Sequence, residues 1–175
     1  MKAKLIAPAG LRTVSQLGRA ERFYQVLRVP APLAGMSFPH DVPWEAIASE
    51  GFQWIVCLTH STPPYNPSPL RVLRANKFQD LVTGDPPENP AVEAAALRGV
   101  VGAVVAELKA GKGVVVHCEG GTGRSGTLIA CTLAALGVPP NDVLGYMERV
   151  NAARGKGRGW PESEWQREQV SKFVA

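Results

Sequence analysis

A chain of 175 residues is about the size of one domain, since single hydrophobic cores usually serve ~100 to 200 residues. With 45% hydrophobic and 19% charged residues, 18 Gly and 15 Pro, it has a globular balance rich in turns, which excludes disordered and collagen-like classes. A net charge of +4 and a pI near 9.1 favour anionic partners without choosing among phosphoesters, nucleic acid and acidic surfaces.

The first 22 residues show no clear period and read as an N-terminal arm of unknown role, loose or packed on a domain running from 23 to 175. Pro8 and Gly10 interrupt MKAKLIAPAG before a secretory core could form, and no apolar run reaches the ~18 residues of a membrane span. A soluble, cytoplasmic protein with no membrane partner is expected. FYQVLRV (23–29) and PLAGM (32–36) read as short strands, followed by a helical turn in DVPWEAIASEG that Gly51 ends. FQWIVCLT (52–59) is a near-continuous apolar run, the pattern of a strand buried on both faces.

HSTPPYNPSP (60–69) is a loop, because its four prolines leave too few backbone donors for a helix or a ladder. LRVLRANKF (70–78) returns as a strand. Between Pro90 and Ala110 the residues Ala94, Leu97, Val101, Val104 and Leu108 recur at helical spacing, with Gly111 just past the end. GVVVH (113–117) is a buried strand and SGTLIACTLAALG (125–137) a helix apolar nearly all round. VPPNDVLGYMERVNAAR supplies another helix, capped by Asn141 or Asp142, and WPESEWQREQVSKFV a last one with Pro161 in its first turn. The alternation predicts an α/β domain whose central sheet, mixed but largely parallel and of about four to five strands, is flanked by helices.

Residues 118 to 126 therefore join the C-terminal end of a buried strand to the start of a buried helix, where open α/β sheets bind ligands. Gly120, Gly121 and Gly123 let successive amides turn inward beside the positive end of the helix dipole, a nest suited to a tetrahedral dianion. Gly121, Gly123 and Gly126 also satisfy GxGxxG. A dinucleotide site needs an acid about 20 residues on at a strand end, and Asp142 opens a helix instead. A nucleotide P-loop laid over 118–125 fails at Cys118 and Arg124, both defining positions.

A cysteine nucleophile fits better. Helix N-termini and inward amides lower thiol pKa values from ~8.5 to ~3.5–7.5, and a planar guanidinium at Arg124 can grip two phosphoryl oxygens at once. A merely buried free cysteine would leave His117, Arg124, Ser125 and the glycines unexplained. The three cysteines, Cys57, Cys118 and Cys131, form neither a disulfide scaffold nor a zinc spacing.

HCEGGTGRS resembles the signature loop of the cysteine-dependent protein tyrosine and dual-specificity phosphatases. LAGMSFP, IVCLTH, an Asp after the next strand and the terminal ESEWQREQV extend the likeness to the compact dual-specificity branch over about residues 26 to 175. The resemblance implies that Cys118 attacks phosphorus and becomes a phosphocysteine. Arg124 and the amides of Glu119, Gly120, Gly121, Thr122 and Gly123 would hold the oxygens. Ser125 would stabilise the thiolate and His117 would order the loop. No metal or cofactor is implied, because the amides and Arg124 supply the charge neutralisation.

The family's general acid is an aspartate on another loop. Asp80, directly after a strand, is the preferred candidate and Asp85 the alternative. Gln166 matches a glutamine that helps place the hydrolytic water, with Ser163 as its helix partner; a surface glutamine is the plainer reading. Cys57 is read as core with a disulfide to Cys118 as the alternative, and Cys131 as core. Glu119 and Thr122 stand where phosphoinositide-directed relatives carry lysine, so phosphotyrosine or mixed phosphoprotein substrates are expected of a monomeric enzyme.

Arg149, Arg154, Lys156 and Arg158, interleaved with glycines, read as a solvated basic loop without the aromatic platform of a nucleic-acid groove. An RNA 5′-phosphatase, a phosphoinositide phosphatase and a phosphate-binding pseudo-enzyme stay open as alternatives.

Overall fold

The computed structural model describes residues 2–12, 22–82, 84–156 and 159–173. In chain order these residues form β1 (Lys4–Leu5), β2 (Phe23–Val29), β3 (Leu33–Met36), α1 (Trp44–Ser49), β4 (Phe52–Cys57), β5 (Arg71–Ala75), α2 (Pro90–Lys109), β6 (Gly113–His117), α3 (Gly123–Ala135), α4 (Pro140–Ala153) and α5 (Glu164–Ser171). The strands make one mixed sheet in the order β1-β2-β3-β6-β4-β5. β3–β6, β6–β4 and β4–β5 are parallel, and β1–β2 and β2–β3 are antiparallel.

The sheet has six strands where four to five were expected. The addition is β1, a two-residue pairing too short to leave a period in the sequence. Ile6, just past it, is buried, and its carbonyl accepts a hydrogen bond from the Tyr146 hydroxyl at 2.8 Å. Residues 2–12 thus lie on the sheet, while residues 13–21 fall outside the described segments.

β6 explains the layering. Its three valines are β-branched, which suits a pleated ladder, and they point alternately to the two faces. Val114 and Val116 enter a core with Val104 and Leu108 of α2, Leu128 and Leu133 of α3, and Val143 and Met147 of α4. Val115 faces the other way, into a smaller core with Ile47 of α1, Phe52, Ile55 and Leu70. All three valines are fully buried, each worth about 1.5–3 kcal/mol over an exposed position. α1 covers one face and the other four helices the opposite one.

α3 runs through the larger core and is buried along nearly its whole length. Gly126 makes that possible on one side, since a Cβ there would stand 2.7 Å from Cδ1 of Trp160. α2 begins with Pro90 in its first turn and ends before Gly111 at φ +79°, as the sequence predicts.

Three helix starts and the burial of one strand differ from expectation. α3 starts at Gly123, so Arg124 and Ser125 belong to its first turn. α4 starts at Pro140 with no side-chain cap, the proline ring having fixed φ where Asn141 or Asp142 was expected to cap. α5 starts at Glu164 behind Ser163, whose hydroxyl accepts from the Gln166 amide, so Pro161 precedes the helix. β4 is buried on both faces only in its second half: Gln53 is exposed and Trp54 half-buried, donating its indole N–H to Glu107 at 2.8 Å.

Candidate active site

The alternation along β6 sends His117 and Cys118 to opposite sides at the end of the strand. Cys118, only 3% exposed, lies at the floor of an open cleft with an empty volume of about 810 Å³. Glu119, Gly120, Thr122, Gly123 and Arg124 line it from the loop and α3. Asp80 and Val82 line it from the segment after β5, and Lys156 and Glu162 from the chain before α5.

The loop is held from behind by residues far away in sequence. Tyr24 of β2 donates its hydroxyl to the Gly121 carbonyl at 2.7 Å. Its ring lies directly over Gly35, where any Cβ would collide with it. Arg154 stacks on the same ring at 3.8 Å and donates to the carbonyls of Gly121 at 3.0 Å and Gly120 at 3.4 Å, and to the Thr122 hydroxyl at 3.3 Å. Neither Tyr24 nor Arg154 lines the cleft.

Because a trans peptide points its C=O and N–H to opposite sides, carbonyls drawn toward Arg154 turn the amides of Gly121 and Thr122 the other way, toward the cleft. Gly121, at φ +70°, is where the chain reverses, and a Cβ there would stand 2.6 Å from the Met36 carbonyl carbon. Burial pushes the Tyr24 phenol up to about 12 against the pull of Arg154, so it remains a donor.

The basic stretch 149–158 is therefore only partly a solvated loop. Arg154 is 5% exposed and acts as a buried clamp, Lys156 borders the cleft, and Arg158 lies outside the described residues.

Arg124 extends from the first turn of α3 with its side chain 14% exposed. It donates through Nη1 to the Phe78 carbonyl at 3.3 Å and through Nη2 to Asp80 Oδ2 at 3.1 Å. Asp80 also accepts the Val82 amide through Oδ1 at 3.2 Å. Asp85 is elsewhere: its two oxygens accept the amides of Glu164 at 3.0 Å and Trp165 at 3.3 Å, where they satisfy first-turn donors of α5. Among the described residues, the Ser125 hydroxyl is the one buried side-chain oxygen without a hydrogen-bond partner. A buried hydroxyl left unpaired in the first turn of α3, next to Arg124 in the chain, has donor capacity to spare.

His117, fully buried, sits behind the loop with Nε2 bonded to the Tyr65 hydroxyl and Nδ1 facing the Cys118 carbonyl at 3.3 Å. The proline-rich loop thus serves to bring Tyr65 over it, with Phe38 packed edge-on against both rings. Cys57 is paired with His117 in parallel register. Burial pushes its thiol up, but hydrogen bonds from His117 and Thr59 outweigh that and bring it down to about 6. Burial, and then Cys57, push the Tyr65 phenol up. Cys131 is core, its thiol pushed up by burial in α3.

Gln166 is not a surface residue. It is 1% exposed, its Oε1 accepts the Glu162 amide at 2.8 Å, and its own amide donates to Ser163 Oγ at 3.2 Å. It borders a small apolar pocket behind Arg124, with Phe78, Leu97 and Trp165, and does not line the cleft with Cys118. Glu162, which sequence reasoning passed over, does. Its carboxylate lies against Gly123, where a Cβ would collide with it. The one available signal was an acidic residue directly before the Ser163 cap.

A family model described as the Swiss Army Knife protein, DSP-PTPase phosphatase domain, matches residues 21–170. Among solved structures, human DUSP28 superposes with a TM-score of 0.59 at 21% identity, over 81% of this chain and 90% of its own. Tk-PTP in its active form gives 0.54 at 21% identity over 81% and 90%. P. aeruginosa TpbA gives 0.60 at 15% identity over 98% and 89%. At these identities the likeness is one of fold. No curated protein sequence matches the chain.

Proposed function

The chain belongs to the DSP-PTPase phosphatase domain family of Swiss Army Knife proteins, and from that premise we propose that it is a phosphoprotein phosphatase working through a phosphocysteine on Cys118. The observation that carries the reading is one cleft lined by Cys118, Glu119, Gly120, Thr122, Gly123, Arg124 and Asp80. A buried sulfur facing amides and a guanidinium is suited to phosphoryl transfer and to little else.

The substrate phosphate enters the nest and Arg124 exchanges Asp80 for two phosphoryl oxygens, becoming bidentate as charge spreads over them. Cys118 Sγ attacks phosphorus, the S–P bond forms as the P–O bond breaks, and Asp80, which takes up a proton from solvent on leaving Arg124, gives that proton to the leaving oxygen. Exchange of the Arg124 contact releases Asp80 at the moment it is needed. Asp85, engaged with the amides of α5, is the weaker candidate for this acid. In the second step water displaces sulfur, and the Ser125 hydroxyl donates to the departing thiolate. His117 holds the peptide at Cys118 in place through its carbonyl.

The rim favours a monophosphorylated protein side chain, phosphotyrosine first and phosphoserine or phosphothreonine beside it. Asp80, Glu119 and Glu162 offset Arg124 and Lys156 around the cleft, so a polyphosphorylated inositol or an RNA backbone meets repulsion there. A cysteine-to-serine variant of P. aeruginosa TpbA has been solved in complex with pTyr, which supports phosphotyrosine as the first substrate to try.

The test is turnover of p-nitrophenyl phosphate and of phosphotyrosine, phosphoserine, inositol phosphate and 5′-triphosphorylated RNA substrates. Activity insensitive to EDTA and highest on phosphotyrosine peptides is expected. Binding of phosphotyrosine without release of phosphate would instead make the protein a phosphate-binding module.

A further inference from the structure

Asp80 has to reach the leaving oxygen from a segment with little structure of its own. Residues 76–82 follow β5 without forming helix or strand, so contacts alone set where the carboxyl stands. Its oxygens are tied to Arg124 Nη2 and to the Val82 amide. When a phosphoryl group enters the nest, the Arg124 contact is the one given up. The backbone must then keep the acid within about 2.6–3.2 Å of the atom it protonates.

That backbone is held from α2. The amide of Gln79, directly before Asp80, donates to Glu93 Oε1 at 3.1 Å. Phe78 and Leu81, on either side of this pair, are buried. Glu93 lies in the first turn of α2, one turn before the buried Leu97, and both line the small apolar pocket behind Arg124. Burial pushes its carboxyl up, against the pull of the Gln79 amide and of the Arg124 charge. The helix dipole favours an acid in a first turn wherever its side chain points. Drawing that acid in over an apolar pocket costs solvation, and the bond it makes there is to the peptide before the general acid.

The next stretch of chain is tied to the same residue. Gln79 Oε1 accepts the Glu88 amide at 2.9 Å, so the loop leading into α2 is stapled back onto the acid segment. The base of this arrangement is firm, since α2 runs for 20 residues and buries Leu97, Val100, Val101, Val104 and Leu108.

We infer that Glu93 is a positioning residue for Asp80, fixing through the Gln79 amide the peptide that carries the general acid. The inference rests on the phosphatase reading above, with Asp80 as the acid. Glu93 does not line the cleft that holds Cys118, and it moves no proton itself.

Leaving groups of different basicity separate this role from a general loosening of the fold. kcat/KM covers the steps up to release of the phenol; phenolate needs the acid's proton, whereas p-nitrophenolate leaves with little help. Glu93→Ala is expected to lower kcat/KM for phenyl phosphate by roughly 10-fold or more, because a misplacement of ~1 Å costs up to ~10²-fold. The loss for p-nitrophenyl phosphate should be several-fold smaller. Glu93→Met, similar in length but without an acceptor, should match Glu93→Ala without opening space in the pocket. Glu93→Gln, which keeps an acceptor oxygen, should recover most of the rate on phenyl phosphate. In an Asp80→Asn background Glu93→Ala should have little further effect, because the group it positions is gone.

Equal losses on both phosphates in the Ala and Met variants, wild-type rates in both, or Gln no better than Ala would overturn the inference alone. So would an undiminished effect of Glu93→Ala on the Asp80→Asn enzyme. Wild-type protein that turns over neither phosphate would overturn the phosphatase reading and this inference with it.

Discussion

Two cysteines end neighbouring parallel strands of the sheet, Cys57 at the end of β4 and Cys118 directly after β6, and they meet opposite surroundings. After β6 come three glycines and the start of α3, so Cys118 looks out over backbone amides into a cleft. After β4 comes a proline-rich loop that folds Tyr65 back over the strand ends, and Cys57 is closed in by Thr59 and His117. A depressed thiol pKa does not distinguish a nucleophile from a buried neighbour. Burial resists ionisation at Cys57, hydrogen bonds outweigh it, and the thiol falls to about 6, yet Cys57 does not line the cleft that holds Cys118. Access for phosphorus and donors for its oxygens make the difference.

The contrast can be attacked most forcefully by exchanging the sulfurs. Cys118→Ser should abolish p-nitrophenyl phosphate turnover, whereas Cys57→Ser should retain it; loss in both would mean that the two strand ends act as one site. Arg124→Lys keeps the charge but loses the planar fork, and kcat should fall by roughly 10²–10³-fold, as when an oxyanion donor is removed. Equal activity would show that a point charge suffices.

Next in size, Asp80→Ala should lower kcat by roughly 10²-fold for poor leaving groups and far less for p-nitrophenol. Asp85→Ala should leave kcat in place and lower stability by about 1 kcal/mol through α5, read by thermal unfolding. The reverse order would transfer the acid's role.

Arg154→Met removes the donors that turn two loop carbonyls away from the cleft. It should destabilise the fold by about 1–3 kcal/mol and reduce kcat as well, whereas a purely solvated arginine would do neither. The smallest effect concerns Cys57. Its folded pKa of about 6 lies below its ordinary value of 9.0, so between these values the folded state binds fewer protons than the unfolded one, and stability rises with pH. The contribution is complete above pH 9 and lost as pH falls through about 6. The stability advantage of wild type over Cys57→Ala should therefore grow across that window in denaturant titrations, and a flat difference would contradict it.

What the sequence made legible was local. Cys118, the glycines, Arg124 and Ser125 lie within one short stretch between a valine strand and an apolar helix, so their juxtaposition follows from chain connectivity alone. The period of α2 was equally clear: of the five residues at helical spacing Leu97, Val101, Val104 and Leu108 are buried, while Ala94 is half-buried and Val100 completes the core face. The supports of the site were not legible. Tyr24 reaches Gly121 across 97 residues and Arg154 across 33, and an arginine among glycines at 149–158 carries no mark of being buried. β1 is two residues long, shorter than any period. Glu162 lines the cleft while the buried Gln166 holds its backbone from behind, because the direction of each side chain is set by the turn before α5 rather than by spacing.

The most direct measurement is rapid acid quenching of the wild-type protein during turnover of p-nitrophenyl phosphate, followed by peptide mass mapping of the bound phosphoryl group. A phosphoryl group on Cys118, absent from Cys118→Ser, is the result this account predicts. Turnover with no covalent phosphoryl group at that sulfur, or with one on a different residue, would contradict it.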